Sequence, residues 1–198
     1  MFAGEAHQIH KDSGEWVFVD IGFSREGKTG GFLIGEQQPV RLTFSDLQQQ
    51  LIRVSRENTG PLNLVLEAPL SVAFSARGNP AGRSFEKSDQ GHRYWYAGLG
   101  CQVTVAATYL LRAVLAAQPT REVRLFEAFV SFKPKDKSSS HEGDVKAMRA
   151  VVWRSAAEPG DVIHPHEIPG PYASSVQSAF AVCGFDLGVP PVIVASAA

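Results

Sequence analysis

Four carboxylates and a histidine stand at positions where their chemistry needs an explanation. Asp20 lies inside "VFVDIGF" among large apolar residues, and an ionised carboxylate there is costly unless it is paired, hydrogen-bonded or bound to a cation. Glu67 closes "LNLVLE", at the carboxyl end of a strand that reads as central, where open sheets tend to place ligands. Glu127 alternates with Val123, Leu125 and Phe129 in "EVRLFEAFVSF". "HEGDVKAMRAVVW" puts His141 and Asp144 three residues apart, so on a helix they project side by side. Converging carboxylates raise one another's pKa unless a divalent cation neutralises them. Hard oxygen ligands suit Mg²⁺ or Mn²⁺, and two such ions roughly 3.5 to 4 Å apart cleave phosphodiesters.

Each group also has a plainer role. Asp20 could begin a turn, Glu67 could cap the next segment, Glu127 could pair with Arg83 or Arg93, and Asp144 could serve the helix dipole. The loop "SARGNPAGRSFEKSDQGHRYWY" sets Arg77, Arg83, Lys87, His92 and Arg93 beside Tyr94, Trp95 and Tyr96. Basic groups beside stacking surfaces suit single-stranded or distorted nucleic acid, although the aromatic run could equally anchor the helix that follows. Lys133, Lys135 and Lys137 in "FKPKDKSSS" are explained as well by a solvated charge run. His164, His166 and Glu167 in "HPHE" lack further ligands at a metal spacing and read as an exposed loop, and Gly30 and Gly31 read as turn glycines.

The elements that must position these groups follow from hydropathy. Residues 1–14 are polar and read as a flexible arm. "EWVFVDIGFS", "KTGGFLIGE" and "VRLTF" read as a three-stranded meander. Ser45 and Gln48 have capping-box spacing for the helix "DLQQQLIRVSREN", whose buried stripe is Leu47, Leu51 and Val54. "GPLNLVLEAPL" has the continuous apolar character of a strand covered on both faces. A helix is expected over about residues 98–118, apolar nearly all round and therefore well buried, followed by the Glu127 strand and a helix capped by Ser139 and Glu142. Beyond Arg154 the chain reads as loop, a short helix over 171–183 and an apolar tail. The order implies an α/β fold, a mixed sheet with helices on both faces, over residues 15–155, with 156–198 as a C-terminal extension packed on it.

Composition sets limits. With 198 residues, 44% of them hydrophobic, and a formal net charge of -1, this is no chain that grips long nucleic acid by bulk charge, so any such contact relies on local patches. Cys101 and Cys183 sit in apolar surroundings without metal spacing and read as reduced core thiols. There is no run of eighteen apolar residues and no basic start before an apolar one, so the expectation is a cytoplasmic protein with no membrane partner.

The acid of "FVDIGFSREGKTGGFLI" on the first strand, the acid of "LVLEAPL" on the fourth, and the acid on the helix after the fifth together resemble the ribonuclease H-like superfamily over about residues 15–155. "HEGDVKAMRAVV" looks like the H-x-x-D-A signature of RuvC-type Holliday-junction resolvases, with Val145 in place of alanine. "LEAPLSVAF" followed by "GNPAGRSFE" resembles a family of uncharacterised, predicted ribonuclease H-like nucleases. The resemblance implies a nuclease leaving 3′-hydroxyl and 5′-phosphate ends, with Mg²⁺ or Mn²⁺ on Asp20, Glu67, Glu127 and Asp144 and catalytic roles for Asp20, Glu67, His141 and Asp144. It places Arg83 and Arg93 on substrate phosphate, a task suited to guanidinium forks, with Lys133 and Lys135 close to the same site.

The expected function is therefore divalent-metal-dependent hydrolysis of phosphodiester bonds in DNA or RNA, branched or single-stranded, by a protein for which a homodimer is plausible and not fixed by sequence. The rival is a non-catalytic ribonuclease H-like module that binds a protein or nucleic-acid partner, favoured by the near-zero charge and by Val145. One half of an actin-like ATPase or sugar kinase, drawn from "DIG" and "KTGG", is a weaker third reading because those enzymes need two such domains.

Overall fold

The β-branched and aromatic runs become strands of a mixed sheet in the structure, a computed structural model that describes residues 1–23, 27, 29–57, 60–89, 91–130, 140–154 and 158–196. In chain order the strands are β1 (Phe2–Ala3), β2 (Glu15–Ile21), β3 (Gly30–Ile34), β4 (Val40–Leu42), β5 (Leu62–Glu67), β6 (Ser71–Phe74), β7 (Pro80–Ala81), β8 (Lys87–Ser88), β9 (Gly91–His92), β10 (Val123–Val130), β11 (Val162–Ile163), β12 (Ser175–Ser178) and β13 (Val192–Ala195). The helices are α1 (Phe44–Glu57), α2 (Gly98–Ala116) and α3 (His141–Trp153). The main sheet runs β11-β13-β10-β5-β2-β3-β4. Its β2, β3 and β4 form the expected antiparallel meander, while β5 lies parallel to β2 and β10 parallel to β5. All six residues of β5 are buried, as a strand covered on both faces requires.

Alternation along β2 divides the core in two. Val17, Val19 and Ile21 join the cluster under α1 and α2, whereas Trp16 and Phe18 join the cluster under α3. Trp16 stacks on Phe18 at 5.9 Å and meets Phe126 at 5.0 Å between ring centroids, and burying each such side chain contributes about 1.5–3 kcal/mol. Asp20 continues the Trp16 and Phe18 series, so the pleat aims it toward α3.

Several expectations need correction. Residues 1–14 are no loose arm: Phe2 and Ala3 pair with Arg124 and Leu125, Trp16 Nε1 donates to the His10 carbonyl at 3.1 Å, and a Cβ at Gly4 would overlap the Phe126 ring. The C-terminal segment does more than pack on the sheet, because β13 pairs with β10 from Glu127↔Val192 to Val130↔Ala195 and β11 pairs with β13. Both chain termini thus cover one edge of β10, β1 its first half and β13 its second. In place of the helix expected at 171–183 stand β12, paired with β6, and a single 3₁₀ turn at Ala181–Cys183.

The helix caps are shifted. Thr43 Oγ accepts from the Asp46 amide at 3.1 Å and donates to its carboxylate at 2.7 Å, a reciprocal cap two residues before the expected Ser45 and Gln48. At α3 the cap is Ser140, whose Oγ accepts from the Gly143 amide at 3.1 Å, rather than the pair Ser139 and Glu142. Helix α2 buries Ala106, Ala107, Leu110, Leu111 and Val114 but leaves Leu99, Val105 and Tyr109 at 55%, 52% and 62% exposure, so it is not buried all round. By length and composition α2 is apolar enough to cross a membrane; here one of its faces lies on the sheet. Cys101 and Cys183 are free thiols, as expected, yet both are exposed rather than in the core.

Candidate metal centre

The path of the β2–β3 hairpin decides what can approach Asp20. Gly31 on β3 is in register with Asp20, and a Cβ there would stand 2.5 Å from the His141 carbonyl oxygen and 2.9 Å from its carbonyl carbon. A Cβ at Gly22 would overlap the His141 ring and the Thr29 carbonyl oxygen. Gly31, read from sequence as a turn residue, and Gly22 are what lets the first turn of α3 lie against the hairpin. The turn is held there by Arg41 Nε against Glu142 Oε1 at 2.6 Å, and the body of α3 by Arg149 Nη1, which donates to the Gln37 carbonyl at 3.1 Å.

The result is a cluster of three side chains. Asp20 and Asp144 are buried, at 6% and 3% exposure, and His141 is half-buried. One ligand atom from each lies within 4.8 Å of the other two, which among the described residues is the group placed to share one ion. His141 Nδ1 is 2.5 Å from Asp20 Oδ2. That hydrogen bond is the main reason the His141 pKa lies above its ordinary value; the charges of Asp20 and Asp144 add to the rise, while burial and Arg41 oppose it. A histidine raised on folding adds stability that is complete below about pH 6.5, the unfolded value, and lost as pH climbs through the folded one. Asp20→Asn is expected to lower the His141 pKa, read as an imidazole titration by NMR. No movement would mean that the pair does not form in solution.

Glu67 occupies the same sheet edge. It is the cross-strand partner of Asp20 and shares its face of the sheet, at 9% exposure. Its Oε1 lies 3.4 Å from Arg93 Nη2, and it stands beside the cluster of Asp20, His141 and Asp144 rather than within it.

Glu127 does not join them. The alternation that puts Phe126 and Ala128 under α3 turns Glu127 to the opposite face. There its carboxylate takes Arg83 Nη1 at 2.5 Å and the amides of Leu70 and Ser71 at 2.9 and 3.3 Å. Burial is the main influence raising its pKa, against the opposing pull of Arg83. Glu127 is therefore removed from the expected metal ligands, and the plain reading, a partner of Arg83, is the one observed. Arg83 is corrected with it: its side chain is 2% exposed and its fork is committed to Glu127 and, at 3.0 Å, to Glu86, so it does not present a phosphate clamp.

Lys133 and Lys135 lie outside the described residues. Among the other candidates, His164, His166 and Glu167 are exposed, and Glu167 accepts from the His164 amide at 2.8 Å, the loop expected. Sequence reasoning missed Glu86, which is fully buried and also accepts from the Trp95 amide at 2.6 Å. The one local signal was its i, i+3 spacing from Arg83, in a loop whose basic residues were read as facing nucleic acid. No known family model matches the chain, and no curated protein matches it.

Proposed function

We propose that this protein is a ribonuclease H-like nuclease that uses a divalent cation to hydrolyse phosphodiester bonds. The observation that carries the reading is the convergence of Asp20, His141 and Asp144, each with a ligand atom within 4.8 Å of the others. The order of elements supports it, because a three-stranded meander followed by alternating helices and strands is what the resemblance implies. So does the position of Asp20 and Glu67, side by side at the carboxyl ends of β2 and β5.

The donor set fits a cation. Two carboxylates suit Mg²⁺ or Mn²⁺, and an imidazole beside them moves the preference toward Mn²⁺. Such an ion polarises a phosphoryl oxygen and makes water a better nucleophile. Asp20 and Asp144 supply the anionic oxygens, and Glu67 lies next to them for the same work. His141 must give up its extra proton before it can act as a ligand, or else holds and passes a proton of the attacking water.

Isothermal titration of Mn²⁺ into wild type and Asp144→Asn, followed by incubation of both with labelled DNA and RNA strands, tests this. Binding and cleavage are expected in wild type and lost together in the variant, with the circular dichroism spectrum unchanged. A wild type that takes up no Mn²⁺ would sink the catalytic reading.

A second reading, a ribonuclease H-like module that binds a partner without catalysis, draws on specific contacts. Asp20 pairs with His141, Glu67 with Arg93 and Glu127 with Arg83, so three of the four acids have an internal counter-charge. The exposed Leu99, Val105 and Tyr109 of α2 add an apolar surface.

A further inference from the structure

The basic and aromatic segment "GHRYWY" is not used by Asp20, His141 and Asp144. Its His92, Arg93 and Tyr94, the carboxyl ends of β5 and β10, and the first turn of α2 line a cleft of about 530 Å³. Pockets of roughly 300–1,000 Å³ surround a single small molecule, so the space suits about one nucleotide and no duplex.

The charged side chains of the cleft are Glu67, Glu127, Arg83 and Arg93, of which Arg93 can still take an anion. Arg93 lies over the Phe129 ring, 5.1 Å from its centroid, and donates to the Val130 carbonyl at 2.8 Å. Its contact with Glu67 is long, at 3.4 Å, and its side chain is 38% exposed, so donors of the fork remain within reach of a ligand. Arg83 also borders the cleft, but its fork is held by Glu86 and Glu127, so Arg93 is the cation left to a ligand. The first turn of α2 carries no acid and no side-chain cap, so although the Gly100 amide donates to the Ala97 carbonyl, the positive end of the helix acts in the same sense.

The remaining wall is apolar, with Pro69, Leu99 and Val103. His92 and Tyr94, also in the wall, belong to a stacked series in which Tyr94 lies 4.9 Å from His92 and 5.2 Å from Tyr96. An anion joined to a flat ring matches this combination of charge and shape. Glu67 ties the cleft to the metal centre, because it lines the one and is in register with Asp20 of the other.

We infer that the cleft takes one unpaired nucleotide of a single-stranded nucleic acid, with its phosphate on Arg93 and its base against Pro69, Leu99 and Val103. A base inside a duplex is paired and stacked, and only an unpaired one can enter a pocket of this size. The inference rests on the nuclease reading for its purpose, while its binding can be measured separately.

Fluorescence anisotropy in EDTA, with a labelled 5′-phosphorylated oligothymidylate alone or annealed to oligoadenylate, reads the cleft with no divalent ion present. The single strand is expected to bind at least about tenfold more tightly than the duplex, and Arg93→Gln to weaken it by about tenfold or more. Leu99→Trp, at an exposed position that tolerates bulk, narrows the cleft and is expected to weaken the single strand by a similar factor. Equal binding of single strand and duplex, or unchanged affinity in both variants, overturns the inference. If the single strand binds as expected while wild type takes up no Mn²⁺, the cleft stands and the nuclease reading falls.

Discussion

An Arg83→Ala variant is expected to lose about 3–5 kcal/mol of unfolding free energy, a large part of what a single domain holds. Arg83 lies between two carboxylates from which water is excluded: the side chains of Glu86 and Glu127 are 0% and 1% exposed. Truncation leaves Glu127 with the amides of Leu70 and Ser71, and Glu86 with the amides of Arg83 and Trp95, but neither with a counter-charge. Burial already pushes the Glu127 carboxyl up, and Arg83 is the leading influence against that rise. Without it the folded state binds a proton at a pH where the unfolded chain does not. A carboxyl raised in this way favours the folded form below the unfolded pKa, and that benefit is lost as pH rises through the folded one. The deficit should therefore be largest near neutral pH and smaller in mild acid, measured by urea denaturation at both. A loss under about 1 kcal/mol at neutral pH would show that Arg83 is a surface-like group available to substrate after all.

That outcome was only half legible in the sequence. The alternation of Glu127 with Val123 and Leu125 was visible, and it placed the carboxylate on an apolar face. Which face belonged to α3 was not visible, because it depends on where a helix beginning at His141 crosses the sheet. Asp20 and Asp144 were easier: an acid inside "VFVDIGF" is costly wherever the strand lies, and the i, i+3 spacing carries Asp144 and His141 together. β2, β3 and β5 were legible because their signal is local and has a period of two residues, or is continuously apolar. β13 was not, since "PVIVA" is placed by parallel pairing with β10, Val192 opposite Glu127 65 residues earlier, and by antiparallel pairing with β11, contacts that leave no local mark. α2 misled for a related reason. A helix apolar on every side signals burial, yet the sheet and α1 cover one side of it and Leu99, Val105 and Tyr109 remain open.

Gly22→Ala acts on the His141 ring and on the hairpin backbone at once. A glycine-to-alanine change at an ordinary φ normally stabilises by about 0.4–1 kcal/mol, because the unfolded chain has less freedom to lose. Here the new methyl group would meet the Thr29 carbonyl oxygen, which the hairpin fixes, and the His141 ring, which can swing. The overlap outweighs the entropic gain, and overpacking of this kind costs about 1–3 kcal/mol. Swinging the half-buried ring relieves one overlap and breaks its hydrogen bond to Asp20, while the backbone at Thr29 must shift to relieve the other. Mn²⁺ affinity is then expected to fall by about 10–100-fold in calorimetry, the effect usual for a disturbed ligand shell, while the circular dichroism spectrum is kept. Gly31→Ala makes the comparison, because its methyl group meets the His141 backbone rather than the ring. The first turn of α3 must shift as a unit, so stability and Mn²⁺ binding should fall together. If Gly22→Ala binds Mn²⁺ as tightly as wild type while Gly31→Ala does not, the imidazole is no ligand, and His141 is left with the proton of the attacking water.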